Sequence, residues 1–531
     1  MNGGGMLVPD MVTAVVARQP DAVAVEAAGM NLTYRQLDDA ATALAAVLRA
    51  RGVGPETCVA VCFERSPALV VAMLAVLKAG GFYVALDPEY PATRLDLMTD
   101  QARAVVVVGD RPSASRLPDT LGIPIVVVDD NGRADIPSVE RGTASEVRPG
   151  HTAYVVYTSG STGTPKAVVV PHSALRWFVT NMAYADPGPR DVIALASSPS
   201  FDALAFECWT ALCHGARLRV VPRSVLLSPQ SLTTVLRGVT MMYVTAALLQ
   251  QLAMEAPEFA AGLRVLFFGG QRADFRAVSL VRKESAPARL IQVYGPTETT
   301  IWSSHQTVDF TIPADWIPLG TPIAGSTEYL LDEWLRPVAA GGRGEIYLGG
   351  DGVARGYLDR PDLTAERFLP DPFRPDRAGA LMYRTGDLAR LRDDGAMEFL
   401  GRADGQVKIR GFRIELGEIE LALATHPAVA TVVVTAAETA GGTQLIAHYV
   451  PVSGVRPPDA QRLRQYLADR LPLYSVPGFF QSWTRIPLAP NGKIDRGALA
   501  PALTPDGRID RRALGARRRS PDNETLIQQR N

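Results

Sequence analysis

The residues best suited to chemistry form one short run, Tyr157 to Lys166, which reads YTSGSTGTPK. Its hydroxyl side chains and glycines let backbone N–H and side-chain O–H groups converge on an anion without steric cost. Lys166 adds a compact positive charge that suits phosphate. The run is not a P-loop, because the order GxxxxGK[ST] is absent. An apolar strand before it and the strand-like AVVV after it favour a phosphate-binding loop over a flexible Ser/Gly linker. The candidate phosphate-binding residues are Thr158, Ser159, Gly160, Ser161, Thr162, Gly163 and Lys166.

Alternating strands and helices must position this loop. The run VAVCF (59–63) is short and β-branched. The runs AVVVVG (104–109) and IPIVVVD (123–129) are continuous apolar strands, typical of strands buried on both faces of a parallel sheet. A helical pattern from Ser66 to Gly80 separates VAVCF from the next strand, FYVAL. The repetition of this theme predicts an α/β fold with its chemistry at the C-terminal ends of the strands.

The composition of the chain changes from about Gly320, where glycine and proline become frequent. The strands there are short (EYLLD, GEIYLGG, MEFLG) and no helical pattern is visible. This part is predicted to be a small distorted β-barrel or an antiparallel sheet. After Arg402 a compact α+β unit begins, with predicted helices from Leu416 to His426 and from Asp459 to Arg470.

These patterns predict two domains and a tail. Residues 1–402 would form a large α/β N-terminal domain of two stacked sheets with helices plus the small distorted β-barrel. Residues 403–500 would form a small, mobile α+β C-terminal domain, and residues 501–531 a flexible tail. A length of 531 residues also favours more than one core.

Composition excludes several classes of protein. The net charge of -1 offers no electrostatic attraction to nucleic acid or to an anionic membrane. No run of about 18 apolar residues predicts a membrane span, and the first residues do not resemble a signal peptide. The four cysteines form no CxxC pair and no metal-site spacing with histidine. We therefore expect reduced, buried thiols in a cytoplasmic protein.

Ten sequence strings, in order, resemble the adenylate-forming superfamily of AMP-dependent synthetases and ligases, and within it the adenylation domains of nonribosomal peptide synthetases. The first of these strings to be recognised is the phosphate loop itself, with Ala167 where glycine is usual. The others are LTYRQL (32–37), LKAGGFYVALDP (77–88), FDAL (201–204), YGPTETT (294–300), GEIYLGGDGVARGYL (344–358), YRTGDL (383–388), GRADGQVKIRGFRIELGEIE (401–420), LPLYSVP (471–477) and NGKIDR (491–496). The resemblance implies ATP-dependent conversion of a carboxylic acid into an acyl-adenylate.

The motif YGPTE is where the resemblance implies that ATP is held. Tyr294 would lie against the adenine ring and Gly295 would shape a turn at a strand end. Thr297 would donate a hydrogen bond to the α-phosphate, and Glu298 would hold Mg²⁺. The alternative is a Gly-Pro turn with an incidental carboxylate.

Further nucleotide and catalytic contacts follow from the same resemblance. Asp387 would accept hydrogen bonds from the ribose hydroxyls, and Arg402 would contact the nucleotide from the domain junction. Lys493 would stabilise charge between the substrate carboxylate and the α-phosphate, assisted by Thr158 and Lys166. The string NGKIDRGAL (491–499) recurs as DGRIDRRAL (506–514), a local duplication that carries Arg508 at the position of Lys493.

A change of domain pose is a further implication. Asp404 resembles the family's hinge, about which the small domain would rotate from an adenylating to a thioester-forming pose. The predicted strand KIRGFRI (408–414) would then face the acceptor thiol, and Gly411 would let a phosphopantetheine arm pass. A surface Asp without motion is the alternative.

Asp202 indicates which acid is activated. In amino-acid-activating relatives an Asp at this position pairs with the substrate ammonium, although Asp202 could instead cap the helix that follows. A carboxylate in a mostly apolar pocket is costly unless it is paired. Apart from Asp202 and Lys493 no pocket position is charged, so an uncharged side chain of valine, leucine or proline size is expected. The pocket positions that the resemblance implies are Asp202, Ala203, Phe206, Tyr243, Phe267, Gly269, Val293, Ile301, Trp302 and Lys493.

Several alternatives stay open at this stage. Phe206 and Gln271 depart from residues common in the family (Trp and Glu), which leaves room for a β-amino acid. An acyl- or aryl-CoA ligase and a non-catalytic nucleotide-binding protein are the rival functions. No carrier-domain serine motif follows Asp495, so we expect either a free-standing enzyme that serves a separate phosphopantetheinylated carrier protein or an excised module. A small MbtH-like partner is compatible with either.

Overall fold

A computed structural model describes residues 6–134, 146–159, 165–226, 228–308, 316–403, 406–409, 412–439, 442–487, 494–495 and 498–499. The chain divides into two compact units between Ala403 and Gln406. The first unit includes the described residues up to 158 and from 166 to 403, and the second includes Ser159, Pro165 and the described residues from 406 onward. Each unit has its own apolar core.

A nine-stranded sheet runs through the first unit. Its six central strands are parallel, and antiparallel strands lie at both edges. The strand Val265–Gly269 is buried along its whole length, as a strand covered on both faces must be. The spatial order is Thr321–Pro322, Ser304–Thr307, Arg289–Tyr294, Val265–Gly269, Met241–Thr245, Val192–Leu195, Arg217–Val220, Val23–Ala27 and Met30–Thr33.

A seven-stranded sheet carries the phosphate loop. Five of its strands are parallel, whereas Lys166–Pro171 returns antiparallel to Thr152–Thr158, so that the loop joins these two neighbours. The spatial order is Gly356–Tyr357, Lys166–Pro171, Thr152–Thr158, Phe82–Leu86, Cys58–Cys62, Val106–Asp110 and Ile125–Val128.

One helix, Pro67–Ala79, contacts strands of both sheets and confirms that they are stacked. Ser66 begins it by accepting a hydrogen bond from the Leu69 amide. Gly80 ends it at φ 95°, a left-handed conformation that glycine adopts without strain. The other helices of this unit are Val8–Arg18, Tyr34–Arg49, Ala92–Gln101, Arg111–Ala114, His172–Thr180, Ala203–His214, Arg223–Leu226, Pro229–Val235, Ala246–Glu255, Phe275–Ser285 and Pro361–Arg367, with 3₁₀ turns at Asp119–Leu121, Pro257–Ala260 and Thr297–Thr299.

The predicted small barrel or sheet is a five-stranded antiparallel sheet. The prediction of no helix in this region is wrong, because Pro361–Arg367 forms one. It begins with a proline and has no buried residue, so it shows no apolar periodicity that a sequence could reveal. The strands are Ser326–Leu331, Arg343–Gly350, Phe368–Pro370, Leu381–Leu391 and Met397–Arg402.

The second unit has the predicted α+β composition. A three-stranded sheet of Val429–Thr439, Gly442–Pro451 and Phe479–Ser482 packs with two helices, Leu416–Ala424 and Ala460–Ala468, and a 3₁₀ turn lies at Leu473–Ser475.

The prediction of a single strand over residues 408–414 is wrong. Two strands, Val407–Ile409 and Phe412–Ile414, pair antiparallel here. The connecting residues Arg410 and Gly411 lie outside the described part of the chain. Glycine between two short strand-like runs is a usual sequence signal of a β-hairpin, and the continuous run of apolar and basic residues obscured it.

The prediction about the cysteines is confirmed. Cys58, Cys62, Cys208 and Cys213 are all buried and free. Burial raises the pKa of each thiol, so none is an activated nucleophile. Among the described residues, no helix is long and apolar enough to cross a membrane.

Candidate active site

The phosphate loop starts and ends on paired strands. Thr158 is the last residue of its strand and lies opposite Lys166 in the register. Both side chains are buried, with 5% of Lys166 exposed. The Lys166 Nζ atom lies 5.5 Å from the centre of the Tyr357 ring, a cation–π contact. Ser159 is described, whereas Gly160, Ser161, Thr162 and Gly163 lie outside the described residues.

Tyr357 connects Lys166 to Glu298. Glu298 is fully buried, and its Oε1 accepts a 2.7 Å hydrogen bond from the Tyr357 hydroxyl. A second hydroxyl, that of Tyr383, lies 3.3 Å from the Tyr357 hydroxyl. The order Lys166, Tyr357, Glu298 places a positive charge and a carboxylate on either side of one phenol. Sequence reasoning missed Tyr357, although it lies in the string GEIYLGGDGVARGYL.

Glu298 is the predicted ligand of Mg²⁺. The described residues contain no group of three His, Cys, Asp or Glu that could hold a metal on its own. Mg²⁺ in nucleotide sites is usually held by one or two carboxylates together with substrate phosphates. A single buried carboxylate therefore fits this ion only in company with a bound nucleotide.

Asp387 is the centre of a second polar group. Its Oδ1 accepts a 2.6 Å hydrogen bond from Arg402, and its Oδ2 accepts a 2.7 Å hydrogen bond from the Tyr294 hydroxyl. The side chains of Asp387 and Arg402 are only 3% and 9% exposed. They lie opposite each other on neighbouring strands. Burial beside this carboxylate raises the pKa of Tyr294, so the phenol stays a donor.

The ring of Tyr294 packs with an apolar cluster that includes Leu319, Leu330 and Leu348. Close by, Gly295 is required by packing: a Cβ atom there would come within 2.4 Å of the Trp302 Cα. The chain after YGPTE therefore folds back against its own turn, which brings Trp302 beside the motif.

Asp202 lies where the apolar pocket meets the YGPTE turn. Its Oδ2 accepts a 2.6 Å hydrogen bond from the hydroxyl of Thr297. Although Asp202 precedes the helix Ala203–His214, its side chain makes no capping hydrogen bond. The geometry therefore supports the pocket role over the capping role. The hydrogen bond also joins Asp202 to Thr297, two residues that were predicted to contact different parts of the substrates, the ammonium group and the α-phosphate.

Glu207 holds the loop that carries Asp202. This buried carboxylate accepts hydrogen bonds from the Ala196 and Ser197 amides and from the Ser197 hydroxyl. Burial raises the pKa of Glu207 to about 7, an effect opposed by the hydrogen bonds from Ser197 and by the charge of Arg65. Sequence reasoning missed this role. The available signal was a lone Glu within the otherwise apolar helix ALAFECWTALCH.

The predicted pocket residues form an aromatic cluster around Trp302. The Trp302 ring centre lies 4.6 Å from that of Phe206, 5.8 Å from Tyr243 and 5.9 Å from Phe267. Phe178, which was not predicted, lies 5.2 Å away. Close ring packing of this kind leaves little volume between the rings.

The remaining pocket positions lie around this cluster. Ala203 and Ile301 are buried, and Gly269 pairs with Val293 across two parallel strands. A Cβ atom on Gly269 would come within 2.3 Å of the Val293 carbonyl oxygen, so only glycine fits. The last predicted position, Lys493, lies outside the described residues, as do the hinge residue Asp404 and Arg508.

Comparison with known proteins agrees with this arrangement. The model of the AMP-binding enzyme family matches residues 12–358, and the model of the AMP-binding enzyme C-terminal domain matches residues 418–493. A dimodular nonribosomal peptide synthase of Bacillus subtilis is 40% identical over 92% of this chain and 21% of its own length. The phosphinothricin tripeptide synthetase PhsC of Streptomyces viridochromogenes is 42% identical over 91% of this chain and 44% of its own. The chain thus spans less than half the length of these relatives.

Among solved structures, an artificially fused adenylation–PCP di-domain of a nonribosomal peptide synthetase from Klebsiella oxytoca superposes with a TM-score of 0.81. The two sequences are 29% identical, and the superposition covers 90% of this chain and 93% of the Klebsiella oxytoca chain. Both the large and the C-terminal family regions are thus matched in one chain. The chain belongs to the AMP-binding enzyme family and is a homologue of the adenylation domains of nonribosomal peptide synthetases.

Proposed function

We propose that this protein is an AMP-forming ligase that activates an amino acid with an uncharged, small-to-medium apolar side chain as its aminoacyl-AMP. The observation that carries the proposal is the position of Asp202. Its carboxylate touches Thr297 of the YGPTE motif, and the helix that follows contributes Phe206 to the aromatic cluster. An amino acid whose ammonium group binds Asp202 would therefore direct its side chain to the aromatic rings and its carboxylate toward the YGPTE motif.

The residues divide the chemistry among themselves. The substrate carboxylate attacks the α-phosphorus of ATP and pyrophosphate leaves, so negative charge must be offset and the reactants must be oriented. Asp202 holds the ammonium, which takes the place of the Thr297 hydroxyl on its carboxylate and leaves that hydroxyl free to donate to the α-phosphate. Asp387 with Arg402 holds the ribose end. Lys166 and the hydroxyl-rich run Thr158 to Gly163 would receive the phosphates.

Mg²⁺ held by Glu298 and the ATP phosphates would neutralise part of the triphosphate charge. Tyr357 keeps Glu298 in place through its hydroxyl. In the second unit, Lys493 is proposed as the residue that stabilises the charge in transit. Residues 1–402 and 403–500 are proposed as the two domains, with Asp404 as hinge.

We further propose that the aminoacyl group is then transferred to the phosphopantetheine thiol of a carrier protein. The solved relative from Klebsiella oxytoca is itself a fusion of an adenylation domain to a PCP domain, which supports this step. A β-amino acid is the second candidate substrate, because Phe206 and Gln271 depart from the common family residues beside Asp202.

Pyrophosphate exchange across α-amino, β-amino, aryl and fatty acids tests the proposal. Exchange is expected with small apolar α-amino acids. Exchange with aryl or fatty acids only, or thioester formation on free coenzyme A rather than on a carrier protein, would contradict it. Asp202→Ala should lower kcat/KM for the amino acid by about 10- to 100-fold, the value of a lost hydrogen bond to a charged group. The KM for ATP should stay unchanged; the exposed Asp21→Ala is the control.

Two substitutions test which copy of the duplicated segment, residues 491–499 or residues 506–514, carries the catalytic residue. Lys493→Ala should reduce adenylation by about 10²-fold, as when one charge-stabilising group is lost. Arg508→Ala is the matched substitution in the second copy and should leave the rate unchanged. The reverse result would move the catalytic role to Arg508.

A further inference from the structure

Trp302 is held in the aromatic cluster by a single polar link. Its indole Nε1 donates a 2.7 Å hydrogen bond to the hydroxyl of Tyr184. That hydroxyl in turn donates to the Sδ atom of Met182 at 3.1 Å. The indole N–H and the phenol hydroxyl therefore each have a hydrogen-bond partner. Burial raises the pKa of Tyr184, so its hydroxyl stays protonated and can both donate and accept.

The backbone beside Trp302 adopts a conformation that does not persist unaided. Thr300 and Ile301 have φ values of 59° and 74°, and β-branched residues rarely occupy this left-handed region. Such strained conformations persist only when their surroundings hold them. One restraint is the 2.7 Å hydrogen bond from the Thr300 hydroxyl to the Gly352 carbonyl. The hydrogen bond to Tyr184 restrains the far end of the same segment, at the tip of the Trp302 side chain.

Tyr184 is itself held rigidly. Its ring stacks on His305 with a centroid distance of 4.1 Å and meets Phe267 edge-on at 6.5 Å. Its backbone carbonyl accepts a 3.0 Å hydrogen bond from Arg289. A phenol fixed on several sides is a firm support for the indole.

We propose that Tyr184 is a specificity-positioning residue, whose hydroxyl holds the Trp302 indole across the amino acid pocket and so limits the size of side chain that the enzyme accepts. The inference rests on the proposed amino acid activation. Without the hydroxyl, the indole N–H would be buried without a partner, and the indole would turn toward another acceptor. The turn would release the volume that Trp302 now fills.

The variant Tyr184→Phe removes the hydroxyl and keeps both ring contacts. The ratio of kcat/KM for a phenylalanine-sized substrate to that for a valine-sized one should rise about tenfold, within the range that one lost hydrogen bond spans. In a Trp302→Phe background the same substitution should not change the ratio, because the donor is absent. Tyr329→Phe is the matched control: it removes a tyrosine hydroxyl that bonds Asp371, and the ratio should stay as in the wild type.

A measurement on the wild type covers the case in which Tyr184→Phe does not fold. In a spectrum of the protein with ¹⁵N-labelled tryptophan, the indole signal lost in Trp302→Phe should exchange its proton slowly. Fast exchange, or an unchanged substrate ratio in a folded and active Tyr184→Phe, would overturn the proposal. Absence of pyrophosphate exchange with every amino acid in the wild type would instead refute the proposed function, while proton exchange would still report on the Tyr184–Trp302 bond.

Discussion

The two ends of the candidate site are built on opposite principles. At the end proposed to bind the nucleotide, buried charges lie in hydrogen-bonded groups: Asp387 binds Arg402 and Tyr294, and Glu298 binds Tyr357. At the end proposed to bind the amino acid, aromatic rings pack around Trp302, whose indole nitrogen donates a hydrogen bond to Tyr184.

The difference has a physical consequence. A buried charge that loses a partner keeps its cost of desolvation, so a single substitution at the proposed nucleotide end should have a large effect. Apolar packing is graded, and a pocket can change size while the enzyme stays active. The nucleotide end is therefore suited to a substrate that never varies, and the aromatic end to one that varies between related enzymes.

The largest effect is expected from Arg402→Ala. It leaves the Asp387 carboxylate, whose side chain is 3% exposed, without its positive partner. The free energy of unfolding should fall by about 3–5 kcal/mol, measured by urea denaturation. The exposed pair of Arg35 and Asp21 supplies the control: Arg35→Ala should cost less than about 1 kcal/mol. Equal losses in the free energy of unfolding for Arg402→Ala and Arg35→Ala would show that burial does not make the Asp387 ion pair more important than an exposed one.

An intermediate effect is expected from Tyr357→Phe. The substitution takes a donor from the buried Glu298 carboxylate and leaves the ring that Lys166 covers. The loss is about 1–3 kcal/mol, and it should appear as a higher KM for ATP with little change in the KM for the amino acid. If the amino acid KM changed instead, the two ends of the site would not be independent.

A pH-dependent effect on stability is expected from Glu328, a buried carboxyl group whose charge acts on Tyr294. Both carboxylate oxygens of Glu328 are buried without a hydrogen-bond partner among the described residues, and burial raises its pKa from 4.5 to about 8. The folded protein therefore holds a proton that the unfolded chain releases near pH 4.5. Stability should fall as the pH rises from about 4.5 to about 8, and level off above.

Glu328→Gln should abolish this part of the pH dependence. Above pH 8 the variant should be more stable than the wild type, by about 1.4 kcal/mol for each unit by which burial raises the pKa of Glu328, because the amide stays neutral where the carboxyl group must ionise. Thermal unfolding from pH 4 to pH 9 measures it, with Glu345→Gln as a control, since Glu345 is already paired with Arg384. Parallel pH curves for the wild type and Glu328→Gln would show that Glu328 is ionised in the folded state.

Much of the fold was predictable because its signals are local. A short continuous apolar run that ends in glycine, such as Val265–Gly269, favours a strand covered on both faces, and Ser66 and Gly80 mark the two ends of a helix. The failures were local as well. The helix Pro361–Arg367 has no buried face to give a period, and the two paired strands Val407–Ile409 and Phe412–Ile414 lie in a run that resembles one strand.

In the candidate site, too, the features that short sequence strings reveal differ from those that depend on contacts between distant residues. By itself, the sequence determined the phosphate loop, the YGPTE motif, Asp202 and Asp387, since each lies in a short string whose order is specific. Only the tertiary structure decided that Thr297 touches Asp202, that Tyr357 holds Glu298 and that Tyr184 holds Trp302. These pairs are 59 to 118 positions apart in sequence. A hydrogen bond depends on distance in space, which the packing of the stacked sheets and their neighbours sets and no local pattern records.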